Sequence, residues 1–133
     1  MKKEEHQKAL QEHLNNLNRA IDESIEENQR NIGYNVSQAS VELFAIYMHF
    51  LHLIEGSGDQ FDHRTFKNKR KTEHKIPPEF PEREKILTFM ETIERERNTI
   101  CYGKRKPKAR IEEMIRAFQE LRKLIENKLK ENE

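Results

Sequence analysis

Val41-Glu42-Leu43-Phe44-Ala45-Ile46-Tyr47-Met48-His49-Phe50-Leu51-His52-Leu53-Ile54 is the stretch on which the fold of this chain turns. With Val36 and Ala39 ahead of it, a helix here has little polar face. A helix apolar nearly all round is central in a bundle or buried at an oligomer interface. The run from Leu43 to Ile54 is 12 residues long and contains His49 and His52. It is too short and too polar to span a bilayer. Asn35 or Ser37, both good N-caps, would start this helix, and Glu55-Gly56-Ser57-Gly58-Asp59 would end it.

Outward from it the apolar period is helical on both sides. Upstream, Leu10, Leu14, Leu17, Ile21 and Ile25 recur every three or four residues, with Ile32 closing the stripe. Gly33 then supplies a stop where a left-handed C-cap carries little strain. Downstream, residues 59 to 80 read as a long basic connection with a short helix near Asp62 to Lys69. Pro77, Pro78 and Pro81 exclude regular helix at its end. Pro81, Glu82 and Glu84 suit the first turn of a third helix with the stripe Ile86, Met90, Ile93, position 97 and Ile100. Gly103 and Pro107 end it. A fourth helix carries Ile111, Met114, Ile115, Phe118, Leu121, Ile125 and Leu129. The expectation is an all-α, up-and-down four-helix bundle with a long basic connection between helices two and three. Residues 1–133 form one domain, with 1–8 and 130–133 frayed.

Composition agrees with a single modest core. Of 133 residues 34% are hydrophobic and 37% charged, against about a quarter charged in average domains. No apolar segment follows the first lysines, so no signal peptide is read and a cytoplasmic protein is expected. A single cysteine, Cys101, excludes an internal disulfide or a cysteine-based zinc site. His49 and His52 lack the spacing and carboxylate of a metalloprotease pair, so no metal site and no cofactor are assigned. The formal charge of +1 hides a polarised distribution. Residues 63–75 and 104–110 together carry net +10, and the remainder −9.

Arg97 breaks the stripe of helix three. A guanidinium facing a bundle interior costs several kcal/mol unless it is paired or reaches water. Two readings follow. Either Glu42, the charge in the apolar helix, is its ion-pair partner and fixes register, or Arg97 binds an anion such as phosphate.

The run Arg97-Asn98-Thr99-Ile100-Cys101-Tyr102-Gly103 resembles the signature of the HEPN family (higher eukaryotes and prokaryotes nucleotide-binding), an Arg, often followed by Asn, with a His four to six residues later. Here Tyr102 stands where the His is expected. Gly33-Tyr34-Asn35-Val36-Ser37-Gln38-Ala39 also looks like the start of that family's second helix. The resemblance implies a bundle that dimerises, bringing two motifs into one cleft. It further implies either a metal-independent RNase, including toxins of toxin–antitoxin pairs, or a protein that binds nucleotide or RNA, or one that partners a small nucleotidyltransferase. By the same resemblance Arg97 would neutralise a phosphate, Asn98 would hydrogen-bond it or orient Arg97, and Tyr102 would occupy the acid/base position.

An unperturbed tyrosine titrates near pH 10, so only about one in a thousand is ionised at pH 7. The exchange therefore favours a catalytically degenerate binding or accessory protein. The alternatives are a metal-independent endoribonuclease with an altered acid/base residue, supplied by His63, His74, His49 or His52, and a structural helical interaction module. Lys67, Lys69, Arg70, Lys71, Lys104, Arg105 and Lys106, with Phe61, Phe66 and Tyr102 as stacking rings, are the expected phosphate-tracking groove. RNA or nucleotide, a second copy of the chain and a nucleotidyltransferase are the expected partners.

Overall fold

The computed structural model describes residues 2–54 and 61–131; the side chains of Lys69 and Lys71 and the Glu55–Asp59 stop lie outside the described residues. The described residues are all-helical. Helices α1 (Lys3–Glu23), α2 (Gln29–Phe50), α4 (Arg83–Cys101) and α5 (Lys108–Glu131) are long, and α3 (Lys69–Lys75) is short, preceded by a 3₁₀ turn at His63–Phe66. As its apolar surface requires, α2 is central: it packs against α1, α4 and α5, and α4 packs against α5. Phe44, Tyr47 and Met48 of α2 are fully buried among Ile86, Ile93, Ile100, Ile111, Met114 and Leu121. No described helix is long and apolar enough to cross a membrane.

The break between the first two helices differs from the expectation. The chain leaves α1 at Ser24, whose backbone is extended, and re-enters helix at Gln29. Asp22 and Glu23 are anions at the negative end of α1, where the helix dipole disfavours them. The turn is closed locally: Ser24 Oγ accepts from the Glu27 N–H at 3.2 Å, and Asn28 Nδ2 donates to the Ala20 carbonyl at 3.1 Å. Gly33 is therefore not a cap but lies inside α2, where it faces α4.

The N-terminus is not frayed to residue 8 either. The Lys2 N–H donates to Glu5 at 2.9 Å, α1 begins at Lys3, and His6 is buried. At the other end of α2, His52 adopts φ 58° and ends the helix at Phe50 rather than Ile54. The His52 N–H donates to His49 O and the Leu53 N–H to Met48 O, the paired bonds of a left-handed helix stop.

The described part of the connection between α2 and α4, from Phe61 onward, is packed. Asp62 Oδ1 accepts from the Arg64 N–H at 2.7 Å and starts the 3₁₀ turn. Phe61 and Phe66 then insert edge-on against Phe44, each with ring centroids 5.2 Å apart. Both rings are buried. They are core side chains and not the stacking surfaces expected among the cations, because aromatic area is better removed from water than held on it.

Candidate functional site at the end of helix α4

The helical period of α4 sends the motif residues in different directions. Arg97 turns inward and is 7% exposed; Asn98, next along, is exposed; Tyr102, past the helix end in extended backbone, is 63% exposed. Arg97 Nη1 donates to Ser37 Oγ at 3.0 Å, and its guanidinium lies 5.4 Å from the ring centroid of Tyr34. Its Nε has no partner among the described residues. A buried cation resting on a hydroxyl and an aromatic face is held less firmly than one in an ion pair.

Glu42 is not its partner. The Glu42 carboxylate meets Nδ1 of His6, and the His6 ring lies 5.5 Å from that of His49. The expected ion pair fails because the side chain of α1 reaches Glu42, while Arg97 sits opposite Ser37 and Tyr34. The buried acid near Arg97 is Glu94, one turn earlier on α4. In the sequence Glu94 carries no mark beyond its helical phase, three residues before Arg97.

The turn after α4 is fastened to the start of α2. The buried Gln29 side chain both donates to the Lys106 carbonyl at 2.9 Å and accepts its N–H at 2.8 Å. Arg105 donates to the Glu26 carbonyl at 2.7 Å, and Arg30 to the Gly103 carbonyl at 3.0 Å. Lys104 and Arg105 are thereby held, exposed, beside Tyr102 in the turn. Arg110 is committed elsewhere, with two bonds to Glu96 at 3.0 and 3.3 Å.

Lys67 falls on another side of α4. It lines a solvent-open pocket of about 380 Å³ with Phe66, Asn68, Glu91, Glu94, Arg95 and Asn98. Arg70 is exposed on α3. The expected groove is thus divided: one group of cations joins the end of α4 to α2, and Lys67 joins Asn98.

Cys101 packs against Gly33 and is half-buried. Burial pushes its thiol up from the ordinary range; the charges of Arg97 and Arg30 oppose this, and Glu94 adds to it. It is a packing residue and a poor nucleophile at neutral pH. Of the remote histidines, His74 and His52 are exposed, and His49 keeps a buried Nε2 without a partner among the described residues. His63 reaches α4, with Nδ1 2.9 Å from Glu94 Oε1. The described residues hold no group of three or more His, Cys, Asp or Glu placed to hold a metal ion.

No protein-family model matches the chain, and no match is found among curated proteins or solved structures.

Proposed function

We propose that this chain is an HEPN-like, up-and-down helical bundle that binds RNA or nucleotide and acts as a binding or accessory subunit. The observation that carries the reading is Arg97, a buried guanidinium with no carboxylate partner among the described residues, lying against the half-exposed ring of Tyr34. Such a group retains attraction for an anion that an ion pair would have cancelled. Tyr34, on which it rests, and Tyr102, past the end of α4, offer exposed rings on which a base can stack, and the exposed Lys104 offers a phosphate contact. A homodimer, a nucleotidyltransferase partner and a cytoplasmic setting belong to this reading.

The test is fluorescence anisotropy of a labelled single-stranded RNA, with unlabelled nucleotide as competitor. Affinity is expected to fall steeply with salt, in proportion to the phosphates neutralised. Arg97→Met and Tyr34→Ala weaken it. Absence of binding at low salt, or binding indifferent to Arg97→Met, would sink the proposal and favour a purely structural module.

A second reading, a metal-independent endoribonuclease, is favoured by one specific observation: the contact between His63 and Glu94.

A further inference from the structure

Glu94 and Arg97 stand three residues apart on α4, and both side chains turn inward: Glu94 is 4% exposed and Arg97 7%. An acid and a base at that spacing are neighbours on a helix, with β-carbons about 5–6 Å apart, and attract each other. Here they do not pair. Glu94 Oε2 and Arg97 Nε are both buried with no partner among the described residues. The two groups nonetheless share their surroundings. Arg97 Nη1 donates to Ser37 Oγ, and Ser37 lines one crevice with Glu94 and His63. Both charges also act on the Cys101 thiol, in opposite directions.

His63 separates them. Its Nδ1 lies 2.9 Å from Glu94 Oε1. A carboxylate only accepts hydrogen bonds, so Nδ1 donates. The ring comes from outside α4: Asp62 starts the 3₁₀ turn that carries it, and Phe66, buried against Phe44, anchors that turn on the core. A carboxylate held at one oxygen by a fixed donor is turned away from the guanidinium beside it. Arg97 is left with a hydroxyl and an aromatic face in place of an opposite charge. A buried guanidinium paired with a carboxylate has little attraction left for a phosphate, whereas one without that pair retains it.

Resting on the RNA-binding reading above, we propose that His63 is the positioning residue of the Arg97 site: it holds Glu94 off the guanidinium and so keeps the site open to phosphate. Without that contact Glu94 takes Arg97 and closes the site. Anion binding and the seating of the 3₁₀ turn are thereby coupled, each favouring the other by the same factor. The role needs one N–H from the ring and no proton transfer.

The test measures binding of a labelled single-stranded RNA to the full chain over a range of salt. His63→Phe keeps a ring but removes the donor. It is expected to weaken binding by about 5–150-fold and to reduce the slope of log affinity against log salt by about 0.7, the share of one phosphate. Glu94→Gln added to the same chain removes the competing charge and restores both; a merely structural role for His63 would leave the loss uncorrected. His63→Gln, whose amide still donates, stays near wild type. Urea unfolding of Glu94→Gln, Arg97→Met and the pair reads the same contact without RNA: the coupling between the two changes is expected to grow when His63→Phe is added. Circular dichroism checks each fold, and His63→Ala serves if His63→Phe unfolds. Affinity unchanged in a folded His63 variant overturns this assignment and spares the binding proposal, as does a loss that Glu94→Gln fails to restore. Coupling that stays the same in both backgrounds also overturns it. RNA that does not bind the wild type at all overturns both.

Discussion

Gly33 of α2 and Cys101 of α4 are so close that a β-carbon at residue 33 would lie 2.9 Å from the Cys101 Sγ and 3.2 Å from Ile100 Cγ2. The absent side chain at residue 33 is what lets α2 and α4 approach beside Arg97. Gly33→Ala gains helix propensity, worth about 1 kcal/mol, but overpacks the contact, which costs about 1–3 kcal/mol. A net loss of stability is expected in urea unfolding. Combined with Cys101→Ala, which removes the nearer atom, the loss shrinks or reverses. Additive effects of the two changes would show that the contact does not limit the approach.

Arg97 and Ser37 should respond oppositely to substitution. Arg97→Met replaces a buried cation that has no ion pair among the described residues with an apolar chain of similar length, and unfolding free energy is expected to hold or rise. Ser37→Ala removes the hydroxyl that Nη1 donates to and is expected to cost about 1–3 kcal/mol. Thermal or urea unfolding reads both. A loss with Arg97→Met as large as that with Ser37→Ala would make Arg97 a structural residue.

Glu42 belongs to the α1 end of the molecule and not to the motif. Glu42→Ala removes the carboxylate that meets Nδ1 of the buried His6 and is expected to raise amide exchange in the first turns of α1. RNA affinity should stay within about twofold of wild type, a difference of under half a kcal/mol. A large loss of affinity would return Glu42 to the site.

Asp62 gives the acid limb of stability a definite sign. Burial pushes its carboxyl up, but the hydrogen bonds and charge of Arg64, with the charge of His63, outweigh that and hold it below the usual range. A carboxyl depressed in the folded state stabilises above its unfolded value, near pH 4, and that contribution is lost as pH falls through the lower folded value. The stability gap between wild type and Asp62→Asn should be present at about pH 4–5 and close as pH falls further. It will be small, because the side chain is 40% exposed. A gap that widens as pH falls below about 4 would contradict the assignment.

Cys101 should label slowly. With the thiol pushed up by burial, alkylation by iodoacetamide is expected to lag a free thiol at pH 7 and to accelerate only above the ordinary thiol range. Arg97→Met removes an opposing charge and slows it further. Fast labelling at neutral pH would place Cys101 in solvent.

The sequence by itself determined that the chain is helical, that the stretch from Asn35 or Ser37 toward Ile54 carries the central helix, found at Gln29–Phe50, and that Arg97 stands on the inward stripe of α4. Those follow from apolar spacing, which is local and repeats every turn. Only the tertiary structure decided what each charge meets. Glu42 and Arg97 are equally plausible partners on paper, yet His6 reaches the first, and Ser37 and Tyr34 hold the second. Gly33 reads as a helix stop from its own conformational freedom, whereas its use is set by the Cys101 side chain from another helix. His63 lies 31 residues from Glu94 in the chain, so no periodicity links them; the packing of Phe61 and Phe66 against Phe44 brings them together. Local pattern fixes which face of a helix is apolar. Pairing between faces depends on the path of the connections, and that is known only once the chain has packed.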